Sequence, residues 1–437
     1  MTTADHNMRS AVREIFLKAL AEANIGKAFQ RHVHYERGVL RVCEDLYDLS
    51  TFNRVLAISF GKAAHRMTEL LAQQLGPIAQ GIVGDPNPPT HQVAGFRYFA
   101  GGHPQPNQES VRAAEAVLKS LNALTPQALV IFLVSGGGSA AVEKPADDEI
   151  SLPDLIATYK TLVLSGAPIA QINAVRKHLS ATKGGRMARA AQGAQLVSIL
   201  VSDVPENALD SLSSGPTMPD TSTVDDCYRI VTEHNMLPDF PASVRELFER
   251  RALEETPKKD DPAFVRSRWW KVLSNETAEK AAAEAAARQG FSVVIDHSCD
   301  DWDFAKAADY LLDRLCELRK TNAKACIVSG GEVTVKVPAN AGAGGRNQHF
   351  ALYCAQKIAG ENISALSAGT DGIDGNSLAA GALADGTTIE RARAAGLDPT
   401  QHFAEFNSFP LFEKLGDTIH TGPTGNNVRD LRILLAY

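Results

Sequence analysis

Two cations in this sequence stand where electrostatics disfavours them. Lys62 lies in the turn SFGKAA and Arg346 in GAGGRNQHFAL, each a glycine-bearing turn that leads into a helical stretch. A positive side chain at a helix start opposes the helix dipole, so its presence there points to an anion that it holds. Arginine adds a planar fork that grips a carboxylate or phosphate through two parallel hydrogen bonds. A carboxylate, Asp203, closes the apolar run QLVSILVSD and is followed by Pro205 and Asn207. Glu332 follows VSGG, and Asp371, Asp374 and Asn376 lie in GTDGIDGNS. Hard oxygen donors of this kind suit Mg2+, which keeps several waters and takes one or two carboxylates beside substrate phosphates. The same acids are also readable as turn formers.

The stretch ALVIFLVSGGGSAAVEKP, residues 128–145, has two chemical readings. Gly136, Gly138 and Ala141 match the G-x-G-x-x-[GA] dinucleotide fingerprint. That fingerprint needs an acid about twenty residues on, closing a second strand. Asp154 is near that distance but opens a helix in SLPDLIATYK. The other reading is an anion cradle. Gly136, Gly137 and Gly138 let backbone N–H groups turn towards one point, Ser139 adds a hydroxyl, and the following helix adds its positive end. A conventional P-loop is excluded, because Gly61-Lys62 is followed by Ala63 and position 56 is leucine. His178, in RKHLSATKGGR, either binds substrate or caps a helix.

The elements that must position these groups share one pattern. RVLAISFGK, LVIFLVSGGGS, LVSILVSD, KVLSNE, KACIVSGGE and ISALSAGTD are apolar runs that end in Ser, Gly, Asp or Asn before a helical stretch. The runs do not alternate strictly, which suits strands buried on both faces of a parallel sheet. Strand followed by helix, repeated, predicts an α/β fold with ligands beyond the carboxyl ends of the strands. Those ends supply the candidate substrate and phosphate contacts Ser59, Gly61, Ser135, Gly136, Gly137, Gly138, Ser139, Asn207, Ser329, Gly330, Gly331 and Asn347.

A chain of 437 residues predicts two domains. The charged, proline-bearing stretch 246–264 reads as the linker between 1–245 and 265–437. Net charge is −7 with no basic block, which argues against nucleic acid as a partner. The six cysteines are scattered, without metal-ligand or disulfide spacing. The first twenty residues show helical periodicity broken by charge, and no apolar run is long enough to span a bilayer. The expectation is a cytoplasmic protein with no membrane partner.

Taken together, SFGKAA, GGHPQPNQES, LVSGGGSA, VRKHLSATKGGR, SDVPEN with LSSGPTMPD, VSGGEVTV, GAGGRNQHFAL and SAGTDGIDGNSLAAGA resemble, in this order, the glycerate 2-kinases that carry a C-terminal MOFRL domain. The resemblance runs over nearly the whole chain. It implies an N-terminal Rossmann-like domain, a C-terminal MOFRL-type α/β domain and an active site in the cleft between them. It further implies phosphorylation of D-glycerate at the 2-hydroxyl with ATP and Mg2+, with a homodimer admitted. The catalytic positions of that family correspond to Lys62, Asp203 and Arg346, and the candidate metal ligands are Glu332 and Asp371. Related sequences carry the label hydroxypyruvate reductase, so an NAD(P)H-dependent reductase is the alternative. A non-catalytic sensor of a sugar acid or nucleotide is a third reading.

Overall fold

The computed structural model describes residues 3–437, with side chains from Met8 onward except at position 206. The chain divides into two compact units, residues 28–272 and residues 1–27 with 273–437.

The first unit opens with a small antiparallel meander, β1 (Val33–Glu36), β2 (Val39–Val42) and β3 (Asp45–Asp48). Its main sheet holds β4 (Arg54–Phe60), β5 (Gly81–Asp85), β6 (Phe96–Ala100), β7 (Ala128–Ser135), β8 (Gln195–Val201) and β9 (Ser267–Leu273). Their spatial order is β6-β5-β4-β7-β8-β9. The pairs β4–β5, β5–β6, β4–β7 and β7–β8 are all parallel, as the apolar runs predict. All eight residues of β7 are buried, so helices cover both of its faces. The helix Gln108–Asn122 covers one side through Ala113, Ala114, Val117 and Leu121, and a reciprocal Asn107–Ser110 capping box sets its start. The chain runs outwards from β4 to β6, then returns to begin again at β7. The sheet therefore has its topological switch point between β4 and β7, where open α/β sheets bind ligands.

The second unit is α/β with a different sheet: β10 (Ser292–Ile295), β11 (Ala325–Gly331), β12 (Ile363–Gly369), β13 (Gly381–Asp385), β14 (Thr418–Ile419) and β15 (Asp430–Ala436). Their order is β10-β11-β15-β12-β13-β14. Only β10–β11 is parallel; β15 lies antiparallel between β11 and β12. This corrects the parallel expectation for VSGG and ISALSAG. Burial on both faces produces a continuous apolar run whatever the strand direction, and here the final strand of the chain inserts between the two.

The expected linker 246–264 is also corrected, because it lies within the first unit. Lys177 Nζ donates to Asp220 Oδ1 at 3.1 Å, and Thr256 Oγ1 donates to Asp220 Oδ2 at 2.9 Å. Phe264 is buried in the core of the parallel sheet, and β9 completes that sheet beyond the stretch. Charge density marks surface here, not a boundary. The N-terminal helix Thr3–Glu22 belongs to the second unit. Its Arg9 donates to Asp385 Oδ2 at 2.8 Å and pairs with Asp417. No described helix is long and apolar enough to cross a membrane.

Candidate functional site

At the switch point the turn after β4 meets the turn after β7. The Lys62 N–H donates to Gly136 O at 2.9 Å, and the Ala63 N–H donates to Ser135 Oγ at 3.0 Å. Ser135 is thus a brace between the two loops and not a free ligand. Ser59 is likewise buried, its hydroxyl donating to Ala64 O at 2.9 Å. A methyl at Gly136 would fall 1.7 Å from Asp203 Oδ2, so the carboxylate after β8 lies against this glycine. Gly137 has a φ of +81°, and a methyl there would meet His103 Cδ2 at 2.9 Å and Lys62 Cγ at 3.2 Å. Lys62, His103 and Asp203 therefore surround one glycine turn. Among the described residues, the N–H groups of Gly137 and Gly138 have no partner within the chain. The helix after the turn is a single turn, Gly138–Ala141, so its dipole adds less than a full helix would.

Two neighbouring loops hold this turn in place. Ser213 Oγ donates to Ser135 O at 2.9 Å, and Ser139 Oγ lies 3.2 Å from Ser214 Oγ. Ser213 and Ser214 both adopt left-handed backbone conformations, a cost tolerated where the surroundings fix the chain. Gly184 and Gly185 donate to the carbonyls of Ser214 and Gly215 at 2.9 and 2.8 Å. Between them, buried Lys183 donates to Ser139 O at 2.8 Å and pairs with Glu143. Burial lowers the Lys183 pKa, while Glu143 opposes the shift. Glu143 also accepts from Ser180 Oγ at 2.5 Å and Tyr159 OH at 2.9 Å, so its charge is fully engaged.

A cavity of about 380 Å³ opens beside Gly137 and Ser139, walled by His103 and Pro104 on one side and Ile156, Tyr159 and Arg176 on the other. Neither His103 nor Arg176 stands out by residue type and spacing alone. The signal for His103 was its place between glycines and prolines in GGHPQP. Partial burial and then the charge of Lys62 lower its pKa. Arg176 shares the helix Ile169–Leu179 with His178, but two residues turn a helix by about 200°. Arg176 faces the cavity, and His178 faces the core. The structure places His178 away from the glycine turn. It is buried, with Nδ1 2.8 Å from Ala174 O and 3.2 Å from Cys227 Sγ, and Nε2 2.9 Å from Glu255 Oε1. Asn207 is exposed on the segment after Asp203.

The second unit gathers its polar residues where β11 and β12 end and β15 begins. The register sets Asp430 opposite both Gly331 and Gly369. Arg346, at the start of the helix Arg346–Lys357, donates through Nε to Asp430 Oδ2 at 2.6 Å and lies 2.8 Å from Glu332 Oε1. The arginine expected to hold a substrate anion is thus already clasped by two carboxylates. Burial, then the charge of Asp430, raises the Glu332 pKa, and Arg346 opposes the shift. Gly330 and Gly331 do not offer open N–H groups. Glu279 Oε1 accepts from the first at 2.7 Å and Asn275 Oδ1 from the second at 2.9 Å. Ser329 is fully buried within β11. Asn347 is also engaged internally, donating to Asp374 Oδ1 at 3.3 Å and accepting from Ser367 Oγ at 2.6 Å. In this structure the Gly330 and Gly331 N–H groups and the Asn347 side chain are engaged within the chain at the sheet end.

Asp374 accepts from the Asn347 and Gln348 N–H groups at 3.1 and 2.9 Å, capping the helix. Burial raises its pKa to about 6 against those hydrogen bonds. A cavity of about 510 Å³ is lined by Arg346, Asp371, Asp374 and Asn376. Asp371 accepts from the Ile373 N–H at 3.1 Å through Oδ1. Among the described residues no three His, Cys, Asp or Glu side chains cluster as a metal cage.

The model of a domain of unknown function, DUF4147, matches residues 11–249, and the MOFRL family model matches residues 325–430. The D-glycerate 2-kinase of Thermotoga maritima is 35% identical over 394 residues, covering 87% of this chain and 90% of its own. A relative from Agrobacterium vitis, named provisionally as a hydroxypyruvate reductase, is 33% identical over 100% of this chain and 96% of its own. The crystal structure of a glycerate kinase from Thermotoga maritima matches with a TM-score of 0.85 at 31% identity, over 99% of this chain and 100% of that one. The chain belongs to the glycerate 2-kinase family, in which a DUF4147 domain is joined to a MOFRL domain.

Proposed function

We propose that this chain transfers the terminal phosphoryl group of ATP to the 2-hydroxyl of D-glycerate. The observation that carries the reading is the meeting of Lys62, Asp203 and the open Gly137–Gly138 N–H groups at the switch point of a parallel sheet. Phosphoryl transfer asks a protein chiefly to align reactants and neutralise charge. The glycine N–H groups hold phosphate oxygens. Lys62 is exposed, and its ammonium has no carboxylate within ion-pair distance among the described residues, so it is available to the transferring group. Asp203 orients the 2-hydroxyl and takes its proton.

A divalent ion fits the donor set only as one carried in with the nucleotide. Glu332 is held by Arg346, whereas Asp371 lines the cavity of the second unit as one carboxylate, which is enough for an ion that keeps its waters. An ion held there would supply positive charge to neutralise what develops on the transferring phosphoryl group. For the second unit the reading requires the same reaction to depend on Arg346, with Glu332 and Asp430 fixing its orientation.

One observation favours a reductase: the strand order is the one that elsewhere binds dinucleotides. The glycine run here follows β7, however, and the turn after β4 carries a lysine in place of the pyrophosphate fingerprint. Incubation with D-glycerate, ATP and Mg2+, followed by NMR of the product, tests the reading. It predicts 2-phosphoglycerate. Hydroxypyruvate-dependent NADH oxidation with no phosphorylated product would refute it.

A further inference from the structure

We infer that the cavity beside Gly137 and Ser139 takes the nucleoside part of the nucleotide, leaving the acid substrate outside it; the inference rests on the kinase reading. The helix Leu152–Leu164 presents two stripes. Leu155, Thr158 and Leu162 are buried in the unit, while Ile156, Tyr159, Lys160 and Val163, at helical spacing, line the cavity. Val163 is 55% exposed and Leu164 74%, an apolar edge with no covering element in this unit. Pro104 and Pro106 form the facing wall.

Such walls have little to offer D-glycerate, a three-carbon acid in which every carbon bears oxygen. They suit a flat heteroaromatic ring. About 380 Å³ is also within the range of cavities that enclose ligands larger than glycerate. The cavity has a directional donor as well. Arg176 lies with its guanidinium carbon 5.0 Å from the Tyr159 ring centroid, and its buried Nε has no hydrogen-bond partner. The Arg176 side chain lines the cavity and brings guanidinium donors to its wall for a base or ribose acceptor. Because Gly137 and Ser139 belong to both the cavity wall and the anion turn, a nucleoside here leads its phosphates onto the glycine N–H groups and towards Lys62.

Val163→Arg tests this, since an exposed position accepts the substitution without unfolding and a positive charge does not repel phosphate. The expected result is a rise of about tenfold or more in the KM for ATP, with the KM for D-glycerate within about twofold. Adenosine should inhibit the wild type competitively with ATP and lose that effect in the variant, while inorganic triphosphate inhibits both alike. Calorimetry with ADP provides a readout independent of turnover and should show a matching loss of affinity. A rise in the D-glycerate KM instead, or unchanged ADP affinity in the variant, overturns the inference. Failure of the wild type to phosphorylate D-glycerate while ADP binding still depends on Val163 would sink the kinase reading and leave the nucleoside pocket standing.

Discussion

The contact between Asp203 and Gly136 allows activity and stability to be separated by one methyl group. In Gly136→Ala the new Cβ would lie 1.7 Å from Asp203 Oδ2 and 2.4 Å from its Cγ. Contacts under 3.0 Å do not persist, so the carboxylate must retreat by at least about 1.3 Å. Asp203 is half-buried, and a side-chain carboxylate can rotate away from a new methyl where a backbone group cannot. A reacting group displaced by about 1 Å loses on the order of 10²-fold in rate. The variant should therefore keep its melting temperature within about 2 °C and lose about 10²-fold in kcat/KM for D-glycerate.

Gly81→Ala is the matched control. Its Cβ would also fall 1.7 Å from an oxygen, but that oxygen is the Ala57 carbonyl, in the strand beside β5. Backbone cannot swing aside, so this variant should lose about 1–3 kcal/mol or more in stability. In an Asp203→Asn background, Gly136→Ala should cost little further activity, since the group it displaces is already impaired. A Gly136→Ala enzyme with wild-type kcat/KM would refute the placement of Asp203 in the chemistry.

Lys62→Ala should lower kcat/KM by about 10²-fold or more with no change in melting temperature, because the side chain is exposed and its role is charge neutralisation. Arg346→Ala should lose activity to a similar degree and also destabilise, since it leaves Glu332 and Asp430 facing each other without their cation. Replacing His178 with alanine should leave kcat/KM within about twofold and cost about 1–3 kcal/mol on denaturant titration, as expected for a buried ring with three polar neighbours. Asp374 makes a pH prediction. Burial raises its pKa to about 6, so the folded state holds this proton more tightly than the unfolded chain does. Its stabilising contribution is full below the ordinary carboxylate range and is lost as pH rises through about 6. Between pH 5 and 7.5 the wild type should lose about 1 kcal/mol from this position, and Asp374→Asn should lose none.

The sequence showed which strand ends matter more readily than what each residue does there. SFGKAA and VSGGGSA are legible because a lysine at a helix start and consecutive glycines are both costly choices without a ligand. The structure brings those two turns together. VSGGE and GGRNQ carry the same local signals, yet the Gly330, Gly331, Asn347 and Gln348 N–H groups and the Arg346 guanidinium are taken up by Glu279, Asn275, Asp374 and Asp430. Those partners lie far off in sequence, so no local pattern separates an open glycine turn from one already filled. The same limit applies to RKHLS, where only the helix phase, fixed by tertiary packing, decides that Arg176 and not His178 faces the cavity.

Position within the sheet resolves the ambiguity of the glycine run itself. A dinucleotide fingerprint works at the first βα turn because the glycines bring the pyrophosphate onto the helix that begins there, and a second strand delivers the ribose-binding acid. In this sheet the turn after β4 carries Lys62, and the glycines belong to the turn after β7, across the switch point. A group lying between the two turns meets a lysine from one side and backbone donors from the other, with Asp203 at its edge. On the proposed reading this arrangement clamps one transferable anionic group, with Asp203 beside it to activate an acceptor. For phosphoryl transfer, the lysine supplies charge neutralisation and the carboxylate a proton acceptor, the two services the proposed reaction asks of the protein.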